Sequence, residues 1–136
     1  MTDTAQTLVV TRMDGPEDAA EGMEKPTWRD IETAIRRLNG DTCTLLMLGI
    51  GEPVPHMGIG GGENGRYIVY ATLDNWTFHN LINPGAAAGK SLLVAGGQRG
   101  DYANRQLVGL QEALRAAKTY AEAGQLDSTL VWEKQS

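Results

Sequence analysis

An α+β fold, a mostly antiparallel sheet with two amphipathic helices packed on one face, is what the sequence predicts. Two stretches place apolar residues at three- and four-residue spacing, while shorter stretches around them are β-branched or alternate in polarity. Their order is strand, helix, several strands, helix, strand, which differs from the regular β-α-β repetition of a parallel sheet. At 136 residues the chain fits one domain, 1–136, with a single core and no room for separate cofactor and substrate domains.

Taken in order, QTLVVTR (6–12) reads as a first strand. The stretch 13–26 reads as an acidic loop, punctuated by Pro and Gly and carrying Asp14, Glu17, Asp18, Glu21 and Glu24. Thr27 is placed as an N-cap with Asp30 three residues on, and Trp28, Ile31, Ala34, Ile35 and Leu38 share one face of the helix that ends near Asn39-Gly40. DTCTLLMLGI is short and apolar enough for a buried strand, RYIVYATLD (66–74) alternates like a strand, and NWTFHNLI (75–82) and SLLVAGG (91–97) read as further strands. A second helix is expected from an Asn104 cap to Gly124, with Leu107, Leu110, Leu114, Ala117 and Ala121 in one stripe and Gly109 inside it. STLVWEK closes the chain as a strand, and Trp28 and Trp132 are assigned to the core.

The run GIGGGENGRY (58–67) contains a G-x-G-x-x-G spacing from Gly60 to Gly65. A dinucleotide turn needs a helix after it, because the helix N-terminus holds the pyrophosphate. Strand-like Tyr67-Ile68-Val69-Tyr70 follows instead. Asn64-Gly65 then reads as the centre of a two-residue hairpin turn, which sets Gly62 against Tyr67 and Gly60 against Val69 with large side chains over the glycines. The Gly96-Gly97-Gln98 and Arg99-Gly100-Asp101 tripeptides are expected to form a glycine-rich strand end turning toward the second helix.

A formal net charge of -5 argues against a protein whose main task is gripping a phosphate backbone, which requires clustered Lys and Arg. It suits a basic partner, and equally a protein that carries the charge only to stay in solution. Lone Cys43 excludes an internal disulfide, no stretch approaches a bilayer span, and no secretion signal opens the chain, so a cytoplasmic protein is expected. No serine lies in a nucleophile elbow, no Cys or His pair has metal-ligand spacing, and His56 reads as a surface residue at a strand end. No catalytic residue, cofactor or metal is therefore assigned.

Four segments taken together carry a family resemblance. They are the W-x-x-I-x-x-A-I-x-x-L helix from Trp28 to Leu38, the GGGENGRYIVY hairpin, VAGGQRGDYANRQLV, and ALRAAKTYAEAGQLDSTLVWEK. In their order and spacing, from about Trp28 to Glu133, the chain resembles the Imm1 immunity proteins of bacterial polymorphic toxin systems. Where that family often carries proline after the aromatic of the third segment, Ala103 stands here, which bears on where the second helix starts.

The resemblance implies a non-enzymatic inhibitor that binds the C-terminal domain of a cognate toxin, often a nucleic-acid deaminase-like one, in the producing cell. It implies binding to a protein; the acidic charge and the lack of an apolar span speak against a nucleic-acid or membrane partner, and the free chain is read as a monomer or homodimer. Candidate toxin contacts are Glu52, Glu63, Asp74, Trp76, Asp101 and Tyr102, which lie beside turns and combine charge with aromatic anchors. Two other classes stay open: a small enzyme or ligand-binding domain using the glycine-rich hairpin and His56, and a structural subunit of a larger assembly.

Overall fold

The computed structural model describes residues 7–12, 19–24, 26–39, 43–49, 55–74, 76–86, 88–95 and 98–135. In chain order the elements are β1 (Thr7–Arg12), β2 (Ala19–Glu24), α1 (Trp28–Arg36), β3 (Cys43–Gly49), β4 (His56–Gly61), β5 (Tyr67–Thr72), β6 (Phe78–Ile82), β7 (Lys90–Ala95), β8 (Gln98–Ala103), α2 (Leu110–Ala123) and β9 (Val131–Lys134). Seven strands form one antiparallel sheet in the order β2-β1-β3-β4-β5-β6-β9, and β7 and β8 pair as a separate hairpin. The fold is α+β, as the sequence predicts.

Alternation along the central strands builds the core. Leu46, Ile59 and Val69 form one cross-strand row and Leu48, Met57 and Ala71 the next, all buried on the same face of the sheet. Both helices close that face, α1 through Ile31, Ala34 and Ile35, and α2 through Ala113, Ala116, Ala117, Tyr120 and Ala121. Each large aliphatic side chain removed from water stabilises the fold by roughly 1.5–3 kcal/mol. The alanines keep α2 thin where it meets α1, β4 and β5. Tyr120 is the large exception, fully buried, and its hydroxyl donates to the Thr72 carbonyl at 2.6 Å, which satisfies a polar group that burial would otherwise penalise. Trp28 and Trp132 pack against this core from partly buried positions.

Local signals for the helix ends divide. Thr27 and Asp30 form a full capping box: the Thr27 hydroxyl accepts from the Asp30 amide at 3.2 Å, and the Thr27 amide donates to the Asp30 carboxylate at 2.8 Å. Gly124 takes the left-handed conformation, φ 66°, that ends α2. The start of α2 departs from expectation. Gly109 is the N-cap, outside the helix, and Leu107-Val108 is extended, with Val108 bridging Tyr67 through paired backbone hydrogen bonds of 2.9 Å. Asn104 does not cap a helix because it is used elsewhere: its amide donates to the Gly89 carbonyl at 2.9 Å and its side chain accepts from the Ser91 hydroxyl at 2.5 Å.

Two strands depart from the loop readings. Within the expected acidic loop, Ala19–Glu24 is strand β2, the outer neighbour of β1, with ladder pairing from Thr7↔Glu24 to Arg12↔Ala19. Of the rest of that stretch, residues 13–18 and 25 lie outside the described residues. The expected turn through Arg99-Gly100-Asp101 is strand β8, aligned along β7 from Lys90↔Ala103 to Ala95↔Gln98. Ladder hydrogen bonds outweigh the weak strand propensity of both segments.

The glycine-rich hairpin is one residue out of the expected register. Gly61 pairs with Tyr67, Gly60 with Ile68 and Gly58 with Tyr70, so residues 62–66 form the loop and Asn64-Gly65 belongs to a 3₁₀ turn inside it. The Gly62 amide closes the loop on the Arg66 carbonyl at 2.9 Å. Gly62 has φ 105° and sits so close to α1 that a Cβ there would meet the Leu38 carbonyl carbon at 2.4 Å, so only glycine fits. Tyr67 is accordingly turned into the helix-covered core, and the ring that lies over a glycine is Tyr70.

Candidate interaction surface

The sheet face opposite the helices carries its own aromatic cluster. His56, Thr72 and Phe78 are aligned across β4, β5 and β6, and Gly58, Tyr70 and Asn80 form the adjacent row. His56 meets Tyr70 edge-on at 5.5 Å between ring centroids and Phe78 at 5.9 Å, and Tyr70 lies 6.2 Å from Phe78. Such pairs add about 0.5–1.5 kcal/mol each to simple burial. All three rings are half-buried, and burial pushes the Tyr70 phenol above its ordinary range, so it stays a neutral hydrogen-bonding group at physiological pH.

Gly58 makes this arrangement feasible. A Cβ at Gly58 would stand 2.2 Å from a ring carbon of Tyr70, so the ring occupies the room a side chain would take. Two further glycines of the run are closed by neighbouring atoms, Gly61 by Leu93 of β7 and Gly62 by the backbone after α1, whereas a Cβ at Gly65 would meet nothing within 4 Å. His56 is engaged with two aromatic rings. Among the described residues no group of three or more His, Cys, Asp or Glu side chains is placed to hold a metal ion.

At one end of the cluster the β5–β6 loop presents a tryptophan. Asp74 accepts hydrogen bonds from the Trp76 and Thr77 amides, both at 2.8 Å, and from the Thr72 hydroxyl at 3.3 Å. The Thr77 and Trp76 amides, which favour the ionised carboxylate, hold the Asp74 pKa below its ordinary value. Trp76 itself is 88% exposed, beside Leu73 at 45%. A large ring left in water on a hydrogen-bonded loop is an unpartnered apolar surface with a fixed base.

At the other side of the open face, β8 and the turn Asn104–Gln106 stand against β5 and β6. Ile68, Tyr70, Asn80, Tyr102, Gln106 and Gln135 line a cleft of about 220 Å³ there, and the Gln135 side chain donates to the Asn80 side-chain oxygen at 2.9 Å. Tyr102 lies in van der Waals contact with Gly100.

The predicted contact residues therefore do not form one patch. Asp74 and Trp76 share a loop, but Asp74 turns its carboxylate to its own backbone. Glu63 lies in the β4–β5 loop, at the opposite end of the six-residue strand β5, roughly 20 Å away at about 3.4 Å per residue. Asp101 is exposed and follows Leu92 onto one face of the hairpin, whereas Tyr102 follows Ser91 onto the other and lines the cleft. Glu52 lies outside the described residues. At the centre of the face, Tyr70 and Phe78 are residues that sequence reasoning left out, and His56 was read only as a strand-end residue and as part of the ligand-binding alternative. The signal for them was the register of the glycine strand, which the two-residue turn reading shifted by one.

The family model described as immunity protein Imm1 matches residues 19–134. A comparison with curated proteins gives no match. The matched span runs from the start of β2 to the end of β9, taking in both helices, the aromatic face, the Trp76 loop and the cleft. The chain belongs to the Imm1 immunity protein family.

Proposed function

We propose that this chain protects the cell that makes it by binding and neutralising a cognate polymorphic toxin domain, of nucleic-acid deaminase-like activity, in the cytoplasm. The family match over residues 19–134 carries this reading. The geometry supports a mode of action by surface contact: a helix-free face with three half-buried rings, an exposed tryptophan at its margin and a small polar cleft beside it. Interfaces concentrate binding energy in such aromatic anchors. Trp76 and Tyr102 serve as anchors, and Glu52, Glu63 and Asp101 supply acidic charge toward a basic toxin surface. Asp74 contributes by holding the Trp76 loop.

A toxin that handles nucleic acid presents a basic groove, and an inhibitor of net charge -5 is drawn to it. The test is co-expression of this chain with the toxin domain encoded beside it. Restored growth, co-purification of the two chains and loss of deamination of single-stranded DNA or cytidine at equimolar ratio are expected. Growth arrest despite soluble expression of this chain would overturn the proposal.

A further inference from the structure

Resting on the reading of this chain as a protein-binding inhibitor, we infer that the cleft between the open sheet face and β8 receives an arginine side chain of the partner. Its volume of about 220 Å³ is below the 300–1,000 Å³ typical of small-molecule sites and is on the scale of one long side chain. Two phenol rings, three carboxamides and the aliphatic Ile68 and Val69 line it, and neither a carboxylate nor a cationic group is among the lining residues. Arg105, next to Gln106, is held in an ion pair by Glu133, so its charge is already matched.

This chemistry selects among occupants. A carboxylate would enter a cleft without a cationic lining group in a chain of net charge -5. An aliphatic side chain would cover the amides of Asn80 and Gln106 without pairing them. A lysine ammonium finds oxygen acceptors but presents no plane to the rings. A guanidinium does both, stacking on an aromatic face while its N–H groups reach amide and phenol oxygens.

One of the two rings is also set in advance. Tyr70 is bedded on Gly58, where a Cβ would stand 2.2 Å from the ring, whereas Tyr102 is in ordinary van der Waals contact with Gly100, whose Cβ position is 3.4 Å from its ring. A ring fixed before binding loses little side-chain freedom on contact, which favours the complex. The glycine at position 58 thus acts at a distance from the partner, as the support of one wall of the cleft.

The test is a titration of the full chain followed by nuclear magnetic resonance, using acetyl-arginine-methylamide as the probe and the lysine, leucine and glutamate equivalents as comparison arms. The arginine probe is expected to shift the side-chain amides of Asn80, Gln106 and Gln135 and the rings of Tyr70 and Tyr102 at lower concentration than the other three. Tyr102→Ala is expected to weaken it about two- to fivefold, the equivalent of one exposed cation–π contact. Should that variant fold poorly, Gln106→Leu provides the same comparison, and the wild-type selectivity decides the matter without either. Absence of cleft shifts, or a match by any comparison probe, would overturn the assignment. No toxin is present in this titration, so its failure leaves the immunity reading standing, while failure of protection in co-expression removes that reading instead.

Discussion

At Gly58 a missing side chain decides where an aromatic ring lies. The Tyr70 ring fills the space above it and from there touches His56 and Phe78, so one hydrogen in place of a methyl group organises the open face. Gly58→Ala is expected to displace that ring and cost about 1–3 kcal/mol, the usual penalty for overpacking, read as a lower midpoint in urea with altered Tyr70 ring resonances. Asp74 works at the same scale. Its folded-state pKa is below the unfolded one, so the stabilisation it gives is fully present above the ordinary carboxylate range. That stabilisation fades as pH falls through the depressed value. Asp74→Asn is expected to remove this acid-side component, and Asp74→Ala to speed amide exchange at Trp76 and Thr77. These roles were only half legible in the sequence. Asp74 and Trp76 were recognisable as turn residues of interest, but a carboxylate committed to its own loop cannot be told from one facing a partner without the backbone.

Among the elements, α1 was legible because its signals are local. A capping box and one apolar face lie within about a dozen residues, and the structure uses both of them. Thr27→Ala is expected to lower stability by about 1 kcal/mol, the typical value of an N-cap, in urea unfolding with an unchanged slope. The second helix was legible in its stripe and at Gly124 but not at its start, because Asn104 is drawn to Gly89 and Ser91 across the β7–β8 hairpin. Strands β2 and β8 were missed for the same reason: their pairing partners, not their own residues, make them strands. Tyr120→Phe probes a non-local link of this kind. Loss of the hydroxyl that donates to the Thr72 carbonyl is expected to cost about 1 kcal/mol without changing the fold.

For the molecule as a whole, the α+β architecture followed from the order of its patterns, and one core under two helices leaves the opposite sheet face to other uses. Composition pointed to a basic partner, and the resemblance to Imm1 proteins named the class that the family match establishes. What composition could not reach was the placement of the contacts, since Glu63 and Trp76 stand at opposite ends of β5 and only folding decides which margin borders the aromatic face. Association with the toxin is expected to slow as ionic strength rises, because charges more than about 8 Å apart are screened at physiological salt. The most direct measurement is the dissociation constant of the purified complex for the wild-type chain and for Trp76→Ala. Trp76 is exposed, so the substitution should leave thermal stability unchanged while weakening binding at least about 30-fold, the free-energy equivalent of a 2 kcal/mol hot spot. Equal affinity of the two proteins for the toxin domain would contradict the placement of the interface on this face.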